Sequence, residues 1–352
     1  MQNNIIESGI RNQESGIRNQ ESGIIHVALA IYDPSGKYSQ HAGVVITSIF
    51  ENTKSPVVIH LLHDDTLTEE NREKFLRTTQ KYSQTIDFVN VEKYKNLFSD
   101  DMQKIVSGWT LGSLYRLFIP DILKIDKVIY LDCDIIVNMD IKKLWEIDAE
   151  GMSLIGAKDL TNPRWGDNTR AKLLGCDTQS YINAGVIVMN LEKIRKLGSF
   201  FKITTDFIIK HKDLILAPDQ DALNAIFRGD IKIIDNKFNS HFNMLTEVMP
   251  DCIIHFLAWK PWAEITGKQS DRNYWKMYIR SAWGENTSRD ELIDIFNNLA
   301  SKTAHSVLYH HTPMQCVKRI SFSIWIRLCS PFRLIKYFAM AVFYSIKYGH
   351  KK

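Results

Sequence analysis

The body of the chain alternates between short apolar runs and amphipathic stretches. Ile25–Ala30 is an apolar run with the length of a buried strand. Ala42–Phe50 has a helical pattern, and Val57–Leu62 is a β-branched strand. Thr68 caps an amphipathic helix that runs to about Tyr82. Ile86–Val91 predicts a strand, Gly112–Leu123 a helix, and Lys127–Leu131 a strand again. Further strands are expected at Ser153–Ala157, Gly185–Asn190 and Ile231–Ile234, with a helix over Gln220–Phe227. This order implies parallel strands joined by helical crossovers, an α/β sheet of the nucleotide-binding kind. No Gly-x-Gly-x-x-Gly fingerprint and no phosphate loop accompanies it. Charge on a bound diphosphate would therefore have to be met by a metal or by basic side chains.

Outside this body the pattern changes. Residues 7–13 read ESGIRNQ, residues 14–20 repeat them, and 21–24 begin the unit again. One isoleucine per heptad is too thin a seam for a coiled coil, and a glycine in each unit opposes a helix. Residues 1–23 are expected to be a disordered extension, 24–285 a catalytic domain, and 286–352 a basic amphipathic region.

Composition refines this division. The 352 residues suffice for a large core, and 45% hydrophobic with 24% charged residues is ordinary for a globular protein. The net charge of +4 is unevenly spread. No Asp or Glu follows Asp294, yet nine of the 44 basic residues do, leaving 35 basic against 40 acidic residues before it. Residues 313–352 interleave these charges with large apolar side chains, and Pro331 divides them. They predict two amphipathic helices lying on an anionic bilayer, or alternatively a helical pair packed on the catalytic domain. Basic residues this sparse do not suit nucleic acid. The five cysteines form no C-x-x-C pair, which argues against a disulfide framework or a zinc site and fits a reducing cytoplasm. The polar N-terminus does not read as a secretory signal.

The sharpest chemical signal is Asp132-Cys133-Asp134, directly after an apolar run and directly before another. In extended chain, residues i and i+2 face one side, so both carboxylates could reach one hard cation at the open end of a strand. Such a pair also serves simply to cap turns; the apolar flanks favour the cation, because acids in that setting need a partner charge.

Several motifs, in order, resemble glycosyltransferase family 8, the group of bacterial lipopolysaccharide galactosyl- and glucosyltransferases and of glycogenin. They are Ala30-Ile31-Tyr32-Asp33 with Tyr38 and His41, Ser113 to Pro120 around Arg116, Asp132-Cys133-Asp134, Asn183-Ala184-Gly185, Asp219-Gln220-Asp221, and His255 followed by Lys260-Pro261-Trp262. The likeness covers roughly residues 25–265. It implies a GT-A fold with a mostly parallel mixed sheet between helices. It also implies a Mn²⁺ or Mg²⁺ cofactor, a UDP-hexose donor, a saccharide acceptor and retention of the anomeric configuration. By the resemblance, Asp132, Asp134 and His255 hold the metal, and Lys260 sits on the phosphates. Ala30, Tyr32 and Asp33 form the uridine loop, with Tyr32 placed to stack on uracil. Arg116, Asn183, Ala184 and Asp219 orient the donor, Asp159 contacts donor sugar or acceptor, and Gln220 lies nearest the far face of the reacting carbon.

Two features depart from the family pattern. The first loop offers only Asp33 where many members have two acids. The spacing from His255 to Lys260 is one residue short, with Ala258 where glycine is usual. Thr161–Asp177, with Trp165 and Gly166, is expected to be a mobile lid. Two other readings stand beside the transferase: a non-catalytic relative of the same fold, and a nucleotidyltransferase. The second usually needs a glycine-rich N-terminal loop, which Tyr32–Tyr38 does not supply.

Overall fold

The computed structural model describes residues 23–98, 102, 105, 111–160, 168–241, 251–257, 260–264 and 269–310. By packing, these fall into two units. The first comprises residues up to Ser240 together with Pro250–His255, and the second comprises His241–Met249 with Phe256 and everything after it. The heptad repeat before residue 23 and the basic region after residue 310 lie outside the described residues, as do Trp165, Gly166 and Ala258.

The first unit is built on a seven-stranded sheet in the order β3-β2-β1-β4-β7-β6-β8. Its strands are β1 Ile25–Ile31, β2 Val57–His63, β3 Thr85–Asn90, β4 Lys127–Leu131, β6 Leu154–Lys158, β7 Ile182–Asn190 and β8 Ile231–Ile234. The pairs β1–β2, β2–β3, β1–β4 and β6–β8 are parallel. β7 is antiparallel to both neighbours, β4 and β6, so the sheet is mixed and mostly parallel, as expected. Eight of its nine residues are buried, as the apolar run Val186–Met189 requires of a central strand. A separate pairing joins β5, Ile135–Asn138, antiparallel to β9, Cys252–His255.

Helices cover the sheet where the pattern predicts them. α1 spans Ser39–Asn52, and α2 spans Glu69–Lys81 with Thr68 accepting the Asn71 N–H as its cap. α1 is buried along most of its length because its small residues admit close neighbours; Ser48 Oγ accepts the Val137 N–H of β5 at 3.0 Å. The single helix expected over Gly112–Leu123 is instead broken. α3, Leu111–Tyr115, passes into a 3₁₀ turn at Arg116–Phe118 and then a short helical turn at Ile119–Ile122. Pro120 explains the break: it has no N–H to offer the Arg116 carbonyl, and its ring crowds that group. The Ile119 N–H bonds Arg116 O in its place. Two further helices of the unit are α4 Phe200–Lys210 and α5 Pro218–Ile226. The core between them is aromatic, with Phe118 and Phe201 stacked at 4.3 Å.

The second unit contains Gln269–Arg280 (α6) and Arg289–His310 (α7). Trp275 packs edge-on against Tyr274, Tyr278 and Phe296, and Tyr274 also meets Trp262 and Phe256. No helix among the described residues is long and apolar enough to cross a membrane.

Candidate active site

β4 ends at Leu131, and the chain turns through Asp132, Cys133 and Asp134 into β5. The two acids therefore sit in a bend between strands, not in extended chain as the spacing argument assumed. The bend still brings them together. Asp134 Oδ1 lies 3.1 Å from His255 Nε2, and Asp132 Oδ2 lies 3.9 Å from the same nitrogen. One ligand atom from each of the three residues falls within 4.8 Å of the others. His255 arrives at the end of β9, paired in register with Ile135.

Gly185 opens the space in which these groups meet. A Cβ at that position would lie 2.2 Å from His255 Cε1 and 2.7 Å from Asp132 Oδ2. The donor set is two carboxylates and one imidazole, which suits Mn²⁺ and, less well, Mg²⁺. Adjacent ligands on an ion with bonds near 2.1 Å stand roughly 3 Å apart, close to the Asp134–His255 distance. The residues fit a divalent cation.

The two oxygens of Asp132 face different partners. Oδ1 accepts from Arg116 Nη2 at 2.7 Å and from Tyr130 Oη at 2.9 Å, while Oδ2 faces the histidine. Arg116 is 3% exposed. Its Nε donates to Ser113 O at 2.8 Å and lies 2.9 Å from Asp219 Oδ2 as an ion pair, its Nη1 donates to Ala184 O at 2.6 Å, and the guanidinium lies over the Tyr130 ring. The guanidinium thus braces Asp132, Asp219 and β7. Burial lifts the Asp219 carboxyl above the usual range, and the Arg116 charge opposes that rise. The Asp132 and Asp219 charges outweigh the desolvation cost at Arg116 and keep it firmly charged. Asp132 and Asp219 thus share the Arg116 guanidinium, while Asp134 faces His255.

Beside this cluster stands a clamped amide. Gln220, at the start of α5, accepts the Ala184 N–H on Oε1 at 3.0 Å. Its Nε2 donates to Asp159 Oδ2 at 2.9 Å and to Tyr181 Oη at 3.4 Å. Asn183 Oδ1 accepts from Gly185 N and from Asn239 Nδ2. Hydrogen bonds thereby link Arg116 to Asp132 and Ala184, and Gln220 to Ala184 and Asp159, while Asp219 is ion-paired to Arg116 and Asn183 is tied to Gly185 and Asn239.

Other expected site residues are placed differently. Asp33 is 1% exposed, and its carboxylate is occupied within its own loop. It accepts from Tyr38 N and Ser35 Oγ on Oδ1, and from Ser39 N and Ser39 Oγ on Oδ2. It therefore caps α1 and shapes the loop. Ala30 is buried, its carbonyl facing Cys133 Sγ, and Tyr32 is half-buried. Lys260 belongs to the second unit, where its ammonium donates to the Phe256 and Leu257 carbonyls. The described part of the expected lid is pinned: Arg170 of the short helix Asn168–Leu173 makes a forked pair with buried Asp221 at 2.8 and 3.1 Å.

The family profile described as Glycosyl transferase family 8 matches residues 30–266. The chain belongs to glycosyltransferase family 8. Among relatives, this family 8 chain is 31% identical over 196 residues to General stress protein A of Bacillus subtilis, covering 54% of itself and 65% of that protein. It is 27% identical over 268 residues to a lipopolysaccharide 1,2-glucosyltransferase of Escherichia coli, covering 70% and 76%. The crystal structure of the galactosyltransferase LgtC with donor and acceptor sugar analogues superposes with a TM-score of 0.62 at 22% identity. That likeness covers 77% of this chain and all of LgtC, and gives the family 8 chain a GT-A-like fold.

Sequence reasoning missed Asn239, Tyr130 and Tyr181 as parts of this site. Tyr130 and Tyr181 each stand two residues before a motif residue, Asp132 and Asn183. Asn239 stands in a polar segment with no motif of its own.

Proposed function

We propose that the chain is a retaining hexosyltransferase that moves glucose or galactose from a UDP-sugar to a saccharide hydroxyl. The observation that carries the reading is the convergence of Asp132, Asp134 and His255 at the open end of β4, in a chain of this family. Those three residues would hold Mn²⁺ or Mg²⁺, which supplies Lewis-acid stabilisation of the departing diphosphate. Lys260 would add a second positive charge there, and Tyr32 would stack on the uracil.

The remaining residues act by holding their neighbours. Arg116 keeps one oxygen of Asp132 engaged and leaves the other facing His255. Gln220 has its amide oxygen committed to the Ala184 N–H, which suits stabilising positive charge at the reacting carbon better than forming a bond to it. Front-face attack follows. The acceptor oxygen bonds the anomeric carbon as the bond to the leaving phosphate breaks, and the acceptor proton passes to that phosphate. UDP leaves, with configuration retained. Asp159, hydrogen-bonded to Gln220, would contact the donor sugar or the acceptor.

The acceptor proposed is a lipopolysaccharide or other cell-surface glycan, as in the name of the Escherichia coli relative. It would be lipid-linked and met at the cytoplasmic face of the membrane, with the acid-free stretch 313–352 docking on anionic lipid. The test is UDP release from UDP-glucose and UDP-galactose with and without Mn²⁺, with the product anomer read by NMR. Metal-dependent release is expected. A chain that neither binds UDP nor hydrolyses either donor in Mn²⁺ overturns the reading.

A further inference from the structure

A chain of hydrogen bonds with fixed direction runs into the back of His255. It begins at the Gly185 backbone N–H, which can only donate, and which bonds Asn183 Oδ1 at 3.0 Å. That identifies the accepting atom of Asn183 as oxygen. The same oxygen lies 2.9 Å from the side-chain amide of Asn239, so Asn239 presents its NH₂ there. The other end of the Asn239 amide must then be its oxygen, and it lies 2.9 Å from His255 Nδ1. Nδ1 therefore donates, and in the neutral ring the lone pair belongs to Nε2. Nε2 is the nitrogen 3.1 Å from Asp134 and 3.9 Å from Asp132.

All the members are buried: Asn239 is fully enclosed, Asn183 is 6% exposed and His255 1%. Solvent is therefore a poor substitute for any link. The three residues come from separate places in the chain, β7, the 3₁₀ turn Asn236–Asn239, and β9. We propose that Asn239 is a positioning residue of the metal centre: backed by Asn183, it holds His255 in the Nδ1–H form and aims Nε2 at the cation. The proposal rests on the metal reading given above. It extends it to a residue that touches neither cation nor sugar. Outer partners of metal-bound histidines fix tautomer and ring angle, and their loss typically costs about 10–100-fold in affinity.

The test uses the full chain stripped of metal and titrated with Mn²⁺ alone, free Mn²⁺ being read by electron paramagnetic resonance. Three forms are compared: the unsubstituted protein, Asn239→Leu and Asn239→Asp. Leucine keeps the bulk and removes the acceptor; aspartate keeps an acceptor for Nδ1–H. Asn239→Leu is expected to weaken Mn²⁺ binding about tenfold or more, and Asn239→Asp, which keeps the acceptor for Nδ1–H but loses the donor to Asn183 Oδ1, to weaken it less. Equal affinity in Asn239→Leu overturns the proposal. So does equal weakening in both variants, since the asparagine would then serve only to fill space. If the unsubstituted chain binds no Mn²⁺, the metal reading itself fails, which is a separate result.

A second measurement needs no Asn239 variant and so survives a leucine form that does not fold. In ¹⁵N-histidine-labelled protein loaded with diamagnetic Cd²⁺, the His255 signals are those lost in His255→Ala. Nδ1 is expected to keep its proton while Nε2 shows coordination. Coordination at Nδ1 overturns the proposal.

Discussion

Buried Arg116 pairs with half-buried Asp132, Nη2 to Oδ1 at 2.7 Å, and the same guanidinium forms a buried pair with Asp219 at 2.9 Å. A lysine keeps the charge but cannot span both acids. Arg116→Lys is expected to lower stability by about 3–5 kcal/mol, the usual cost of breaking a buried pair, and to remove most UDP release. Thermal melting and the release assay measure the two effects. An unchanged melting temperature would mean that the bracing described for Arg116 has no energetic weight.

Asp134→Asn separates charge from shape. The amide fills the same volume and can still face His255, so the melting temperature should shift little. The cation loses an anionic ligand, and Mn²⁺-dependent UDP release should fall below detection. Turnover retained at even a tenth of the original rate would count heavily against the proposed metal centre.

Gly185→Ala probes the space rather than the ligands. The new methyl would fall inside contact distance of His255 Cε1 and Asp132 Oδ2. Both groups must shift, and overpacking of this kind costs about 1–3 kcal/mol. Weaker Mn²⁺ binding together with a lower melting temperature is expected, read by titration and by calorimetry on one sample. Normal affinity would show that the cradle around the three ligands is looser than described.

The sheet carries a pH response away from the site. His26 and His60 stack on adjacent strands with Nδ1 to Nε2 at 2.9 Å, His60 faces Asp87 at 3.2 Å, and Trp145 lies beside His26. Burial, and then the neighbouring His60, push His26 down from 6.5 to about 4. Burial also lowers His60, against the pull of Asp87. The unfolded chain then binds more protons below pH 6.5 than the folded one, so stability is lost as pH falls from 6.5 towards 4. With solvent screening at these half-buried rings, the loss is on the order of 1 kcal/mol. Melts from pH 7 to pH 4.5 should show the decline, and His26→Gln should flatten it.

Much of the fold is legible in the sequence, for reasons that differ by element. Lys127–Leu131 and Ile231–Ile234 are read to the residue, because short β-branched runs between polar breaks leave little choice. The direction of β7 is not legible, since side-chain alternation is the same either way along a strand. β5 and β9 escape because three apolar residues beside a motif look like its flank. α4 is hidden by the aromatic and β-branched content of Phe200–Lys210, which mixes helix and strand signals. In the site, the motifs single out Asp132, Asp134 and His255, which the structure brings together. The hydrogen bonds that the Asp33 carboxylate accepts from Tyr38 N and Ser39 N are set by loop geometry that no pattern reveals. The motifs also pass over Asn239, whose part depends on three segments meeting in space.

The pairing of β5 with β9 bears on how the molecule is made. His255 stands 121 positions beyond Asp134, so on a translating ribosome the aspartate bend emerges long before its third ligand. Until β9 adds to β5, the bend has carboxylates but no imidazole. On the proposed metal reading, a cation could not then act as an early template, and its capture would mark completion of the first unit. A nascent-chain fragment ending at residue 250 should accordingly take up Mn²⁺ no better than Asp134→Asn.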